Sequence, residues 1–318
     1  MEIVVLDGEI ANPGDISWQG VERLGSLKVY PNTRPGDVVK NIGNAAAVIL
    51  NKVPITREII QACPGLAYIG LLSTGYNIID LQAAKERGIP VCNVPEYSTA
   101  AVAQSAIALL LEICNQVGHH SAEVHAGKWG TTQSWSFWSK SLIELQGKTM
   151  GIVGFGNIGR ATGRVAAALG MRVLAAGSRP TEEGRAIAEY VPLPQLLAEA
   201  DVVSLHCPLT PATRHLISGQ TIAQMKQGAI LLNTARGGLV DEQALAAALN
   251  SGRVYAAGVD VVSEEPISDA NPLLKAKNCF ITPHIAWAAA ETRRRLLEVV
   301  AGNLRAWAEG SPVNVVNP

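Results

Sequence analysis

The segment Gly154-Phe155-Gly156-Asn157-Ile158-Gly159 has the spacing G-x-G-x-x-G. It follows the apolar run Gly151-Ile152-Val153 and opens a helical pattern with Ala161, Val165, Ala168 and Leu169. In that context the first glycine allows a tight turn, the second lets the backbone approach a pyrophosphate, and the third allows close helix–strand packing. The N–H groups that open the helix, at Asn157, Ile158 and Gly159, are offered to the anion. The chemistry is dinucleotide binding; an ordinary glycine-rich turn is the alternative. The next strand pattern, Arg172–Ala176, ends at Gly177-Ser178-Arg179 with no carboxylate at its tip. A carboxylate there would bind the two ribose hydroxyls of NAD and repel a 2′-phosphate. A glycine removes that repulsion, while Ser178 and Arg179 offer a hydroxyl and a charged fork suited to phosphate. NADP(H) is the expected cofactor, and Glu182 and Glu183 keep NAD(H) open as the alternative.

Three further polar residues follow apolar runs. Arg236 follows Leu231-Leu232-Asn233-Thr234-Ala235, Glu265 sits in Ser263-Glu264-Glu265-Pro266 after Val259-Asp260-Val261, and His284 sits in Ile281-Thr282-Pro283-His284. In an open parallel sheet the C-terminal ends of the strands lead to one ligand-binding crevice. An arginine, a glutamate and a histidine are therefore expected to converge. Each also has a plainer reading: Arg236 in a salt bridge, Glu265 on a loop surface, His284 capping the helix that follows. Lys52 stands after another strand end, where reaching a substrate and lying on the surface are both open. No metal-ligand spacing is present, His119-His120 included.

These residues need a scaffold of alternating strands and helices. Buried-strand runs occur at Ile3–Leu6, Leu27–Tyr30, Ala47–Leu50 and Tyr68–Leu71. Helical patterns lie at Trp18-Val21-Leu24, Ile55–Ala62 and Asp80–Gly88, and a long one runs from Ser98 or Thr99 to about Val117. A second series has strand runs at Met150–Val153, Arg172–Ala175, Val202–Leu205, Ala229–Leu232, Tyr255–Val259 and Cys279–Ile281. Its helices are expected at about Asn157–Leu169, Leu193–Glu199, Gly219–Met225 and Glu242–Asn250. A last helical pattern carries Leu296, Leu297, Val300, Leu304 and Trp307, and the apolar run Val313–Val316 follows it. Arg293-Arg294-Arg295 reads as a solvated helix face. Strand–helix repetition of this kind predicts an α/β fold of two doubly wound, Rossmann-like parallel sheets. Between the two series, Gly127–Ser141 breaks the alternation and crowds Trp129, Trp135, Phe137 and Trp138 together.

Composition narrows the classes. At 318 residues the chain has room for about two domains. With 48% hydrophobic and 17% charged residues it is too apolar for a disordered chain. The net charge of -1 gives no bulk basic field for nucleic acid or an anionic membrane. Ala100–Cys114, the most apolar long stretch, is interrupted by Gln104, Ser105 and Glu112 and falls short of the roughly 20 apolar residues of a membrane span. The apolar run after Met1-Glu2 is too short, and its flank too acidic, for a secretion signal. Five widely spaced cysteines fit a reduced, cytoplasmic chain.

The motifs Thr234-Ala235-Arg236-Gly237, Asp260-Val261, Glu265-Pro266 and Thr282-Pro283-His284-Ile285-Ala286 resemble those of the D-isomer-specific 2-hydroxyacid dehydrogenase family. Val203-Ser204-Leu205-His206-Cys207-Pro208-Leu209-Thr210 and Ser73-Thr74-Gly75-Tyr76-Asn77 do so too, so the resemblance spans nearly the whole chain. It is strongest to glycerate dehydrogenases and hydroxypyruvate/glyoxylate reductases. The resemblance implies that Arg236 binds the carboxylate and carbonyl oxygen of a 2-oxo acid. It implies that His284 exchanges a proton with that oxygen and that Glu265 orients the ring. Main-chain N–H groups of Ser73, Thr74 and Gly75 would share the carboxylate, and Asp260 would contact the nicotinamide amide. His206, Cys207, Pro208, Thr213, Thr234 and Ala235 would line the cofactor.

The same resemblance implies a discontinuous domain, 1–99 plus 286–318, completed around a dinucleotide-binding domain at 100–285, with a cleft between them. It also implies a homodimer. In reductases of this kind a tryptophan of the partner chain can close the substrate pocket; Trp138 is the candidate here, and packing at the dimer contact is the alternative. The expected activity is NADP-linked reduction of hydroxypyruvate or glyoxylate to the D-2-hydroxy acid. The alternatives are another acid such as 2-ketogluconate, or a nucleotide-sensing corepressor that keeps the trio. Formate dehydrogenases of this resemblance carry Gln where Glu265 stands.

Overall fold

The computed structural model describes all 318 residues. They form two compact units, Met1–Ser98 with Ala288–Pro318, and Thr99–Trp287.

The first unit is built on β1 (Glu2–Val5), β2 (Ser26–Val29), β3 (Ala47–Leu50), β4 (Tyr68–Leu71) and β5 (Val91–Cys92). The strands are parallel and run in the order β2-β1-β3-β4-β5. Every residue of β3 and β4 is buried, which explains why these runs are continuously apolar rather than alternating. The polar edge strand β2 is mostly exposed. Leu6, Leu50, Ile60, Ile69 and Leu71 lie in one core cluster. The tail helix Ala290–Ala308 buries Leu296, Leu297, Val300 and Leu304, and Trp307 packs its ring 5.0 Å from that of Tyr68.

The second unit holds β6 (Thr149–Val153), β7 (Arg172–Ala176), β8 (Glu189–Tyr190), β9 (Val202–Leu205), β10 (Ala229–Asn233), β11 (Val254–Val259) and β12 (Cys279–Ile281). The order is β12-β11-β10-β9-β6-β7-β8, and every pairing is parallel. Neighbouring residues of one strand fall in different clusters: Leu174 and Ala176 in one, Val173 and Ala175 in the other. The period of two thus places a core on each face of the sheet. Helix Thr99–Asn115 covers one face with Ile107, Leu110 and Ile113.

Several sequence expectations need correction. β5 and β8 are two residues long, too short to show a period in the sequence. The run Val313–Val316 forms no strand; only Val315 makes an isolated antiparallel bridge, to Cys92. The three arginines are not one solvated face. Arg293 is 8% exposed and grips Asp15 with two bonds of 2.6 Å, while Arg295 donates to the Tyr97 carbonyl. The Trp18-Val21-Leu24 pattern yields only the short helix Gln19–Glu22. No single helix is long and apolar enough to cross a membrane.

Candidate active site

In the second unit β6 and β9 are neighbours paired up to their last residues, Val153 and Leu205, with β7 and β8 added beyond β6 and β10 to β12 beyond β9. The order in which successive strands are added reverses across such a point, and a crevice opens beyond the strand ends. The glycine loop lies there. Gly154 has φ +90°, and a Cβ on it would meet the Cys207 nitrogen at 2.5 Å. A Cβ on Gly159 would overlap the Gly154 carbonyl, whereas one on Gly156 would meet nothing within 4 Å. The first and third glycines therefore serve packing, and the second leaves an open approach. Helix Asn157–Ala168 starts there with no side-chain cap at Gly156.

On the other side, Asn233, Val259 and Ile281 are register partners at the ends of β10, β11 and β12. Arg236, Asp260 and His284 thus leave three neighbouring strands at one edge, with strands about 4.8 Å apart. His284 Nδ1 lies 2.6 Å from Glu265 Oε2, with both side chains about one-third exposed or less, 28% and 33%. An ionised carboxylate only accepts, so Nδ1 carries the proton of this bond and Nε2 is left for other work. The other Glu265 oxygen accepts from the Val262 N–H at 3.3 Å. Arg236 is exposed, and its Nη1 donates to the Ala235 carbonyl at 2.6 Å.

Three residues that sequence reasoning left without a structural role hold this arrangement. Asn233, 1% exposed, donates to the Arg236 carbonyl at 3.0 Å and accepts from the Ala235 N–H at 3.1 Å, shaping the arginine loop. A Cβ on Gly237 would overlap the backbone of Val262 and Ser263, so the arginine loop and the loop leading to Glu265 touch. Asp260, 1% exposed, accepts on Oδ1 from Thr282 Oγ1 at 2.6 Å and the Ile285 N–H at 2.9 Å, and on Oδ2 from the Ala286 N–H at 2.8 Å. That clamp brackets His284, whose φ of +56° lies in the left-handed region that costs a non-glycine residue energy. The Trp287 indole donates to the His284 carbonyl at 2.8 Å. A buried polar residue inside an otherwise apolar strand end was the one available signal.

The cofactor candidates of this unit group around the same edge. Ser178 Oγ accepts from the Phe155 N–H at 2.7 Å, which leaves its hydroxyl hydrogen to donate elsewhere. Arg179 is exposed. Glu183 is engaged by Arg160 at 3.2 Å and by Arg164. His206 is half-buried, and desolvation of its ring pushes it down to about 4; its Nε2 lies 2.9 Å from Ser204 Oγ. Cys207 is buried and Pro208 exposed, and Thr213 Oγ1 donates to the Pro208 carbonyl at 2.7 Å, closing a turn. Thr234 Oγ1 is buried without a partner, beside the half-buried Ala235. An orphaned hydroxyl and an open second glycine are what a bound dinucleotide would satisfy, so these residues fit one.

The remaining candidates lie elsewhere in the chain. In the first unit, Asp7 follows β1 and accepts from the Asn51 and Lys52 N–H groups at 2.8 and 2.5 Å, fixing the loop after β3; the Lys52 side chain is exposed. Burial pushes the Asp7 carboxyl up despite these bonds. Ser73, Thr74 and Gly75 follow β4, with Ser73 Oγ donating to the Gly75 carbonyl at 2.7 Å. Trp138 is 65% exposed, in a segment whose helices Val117–His125 and Lys128–Thr131 bury no residue.

Residues 107–286 match the family model described as D-isomer specific 2-hydroxyacid dehydrogenase, NAD binding domain. The chain is 54% identical to a hydroxypyruvate reductase of Blautia hydrogenotrophica over 322 residues, covering 100% of both. It is 42% identical to a glyoxylate reductase of Korarchaeum cryptofilum over 275 residues, covering 86% of this chain and 82% of that one. The D-lactate dehydrogenase of Escherichia coli superposes with a TM-score of 0.87 at 30% identity, covering 99% of this chain and 100% of that one.

Proposed function

We propose, from the premise that this chain belongs to the D-isomer-specific 2-hydroxyacid dehydrogenase family of nicotinamide-dependent oxidoreductases, that it reduces hydroxypyruvate and glyoxylate to their D-2-hydroxy acids with NADPH. The observation that carries the substrate is the 54% identity to a hydroxypyruvate reductase along the entire chain. Shared fold alone does not choose the acid, since the superposed lactate enzyme takes another.

The Arg236 guanidinium binds the substrate carboxylate and carbonyl oxygen through two parallel N–H bonds. The N–H groups of Ser73, Thr74 and Gly75 take the rest of the carboxylate, with Lys52 nearby in the sequence of strand ends. When bound, the nicotinamide supplies the hydride that the carbonyl carbon takes up. His284 Nε2 gives its proton to the carbonyl oxygen and takes it back in the reverse direction, while Glu265 holds the ring through Nδ1. Asp260 retains an acceptor position on Oδ2 for the nicotinamide amide. Ser178 and Arg179 bind the 2′-phosphate. The engagement of Glu183 by two arginines supports that choice, because it holds away the carboxylate that would favour NAD.

The exposed Trp129, Trp135 and Trp138 serve as a contact with a second copy of the chain. Sedimentation of a dimer, and of a monomer after Trp135→Ser and Trp138→Ser together, tests that assignment. The decisive experiment for the function is a panel of 2-oxo acids run with both cofactors. Hydroxypyruvate with NADPH should give the highest kcat/KM. A preference for NADH sinks the phosphate assignment, and no oxidation of either cofactor with any acid sinks the function.

A further inference from the structure

The Ser73–Gly75 loop is held from behind by a file of asparagines. The Thr74 carbonyl accepts from Asn93 Nδ2 at 2.8 Å. The Asn93 carbonyl accepts from Asn303 Nδ2 at 2.9 Å, and Asn303 Oδ1 accepts from Asn314 Nδ2 at 2.8 Å. The Asn93 N–H closes the file by donating to the Asn314 carbonyl at 3.1 Å. Asn93 and Asn303 are 9% and 2% exposed. Asn303 occupies the buried face of the tail helix, between Val300 and Leu304, where an asparagine favours neither the helix nor the core. Its cost is offset only because both ends of its amide are used.

The tail beyond the helix is itself tied down. Asn314 has φ +56°, a conformation asparagine tolerates. Val316 N–H donates to the Val91 carbonyl at 2.9 Å, and the Asn317 side chain accepts from the Val91 N–H at 2.8 Å and donates to the Ile89 carbonyl at 2.9 Å. A segment more than 200 residues away in sequence is thereby wired to one carbonyl of a loop at the end of β4.

We propose that Asn93, Asn303 and Asn314 are positioning residues through which the C-terminal tail fixes the Ser73–Gly75 loop for the substrate carboxylate. The inference rests on the reading that this loop's N–H groups bind that carboxylate. A peptide N–H points usefully only if its neighbouring carbonyl is held, and Asn93 Nδ2 holds the carbonyl of Thr74, whose peptide supplies the Gly75 N–H. Asn93, Asn303 and Asn314 themselves touch no reacting atom.

The test uses the full-length enzyme with Asn314→Gly and Asn303→Asp. Glycine keeps the left-handed backbone at position 314 and removes only the side-chain link. Aspartate at 303 keeps the acceptor for Asn314 and loses the donor to Asn93. Each variant should raise KM for hydroxypyruvate and the inhibition constant of oxalate, a non-reducible carboxylate, by about fivefold to tenfold, the value of one hydrogen bond. kcat and the affinity for NADPH should stay within about twofold, because only carboxylate binding is touched. The double variant should do little more than either alone, since both cut one file. Lowered Tm with unchanged KM and oxalate inhibition would make the asparagines packing residues and overturn the proposal alone. A wild-type enzyme that neither turns over nor binds these acids would overturn the function, and the relay's role with it.

Discussion

Replacing Asp260 by Asn perturbs the clamp around His284. The carboxylate accepts three hydrogen bonds at 1% exposure: two on Oδ1, from Thr282 Oγ1 and the Ile285 N–H, and one on Oδ2, from the Ala286 N–H. An amide can place its oxygen at only one of the two positions. If it sits at Oδ1, its NH2 group confronts the Ala286 N–H, donor against donor. One charge-assisted bond is lost and one buried N–H is orphaned, a cost of about 2–4 kcal/mol. At about 2–4 °C per kcal/mol for a unit the size of Thr99–Trp287, Tm should fall on the order of 10 °C. The segment holding His284 at φ +56° then relaxes. Misplacing the imidazole by about 1 Å costs up to ~100-fold, so kcat should drop at least ~10-fold. Thr282→Val, which removes one donor and leaves both main-chain bonds, should cost about 1 kcal/mol and leave kcat within about threefold. Urea unfolding and steady-state kinetics on both variants measure this. An Asp260→Asn enzyme with the Tm and kcat of the wild type would refute the clamp.

Other expectations follow from single residues. Arg179→Ala should raise KM for NADPH about 10–100-fold and leave NADH little changed, the worth of a charge-assisted phosphate bond; equal effects on both cofactors would place the phosphate elsewhere. His206 is held at about 4 in the fold against an ordinary value of 6.5. The unfolded chain therefore binds more protons between those values, and stability is complete above about pH 6.5 and declines as pH falls toward 4, by about 3 kcal/mol. His206→Asn should flatten that part of the stability profile, and an unchanged slope in urea titrations across it would count against a desolvated neutral ring.

The legible parts of this fold are those set by backbone sterics and burial. Gly154 and Gly159 must be glycines because a Cβ would strike backbone, and that requirement writes itself as spacing. β3 and β4 are buried on both faces, so their bounds could be read as apolar runs. Arg236 and His284 are locatable because parallel strands deliver their C-terminal ends to one edge. The rest depends on partners distant in sequence. Asp260 reads as a solvent or ligand group until its donors, 22 to 26 residues further on, are in place. Arg293 looked solvated inside a triplet of arginines, yet it shares a helical face with Leu296, Leu297 and Val300, and that spacing was the unused signal. Gly237 gave no sign that another loop's backbone lies against it.

The imidazole of His284 is the group that moves the proton in this reaction, and the decisive comparison is NADPH oxidation with saturating hydroxypyruvate by the wild type and by His284→Ala. The expected result is steady turnover by the wild type and a loss of at least ~100-fold in kcat in the variant, with NADPH still bound. Full turnover by the variant would contradict it.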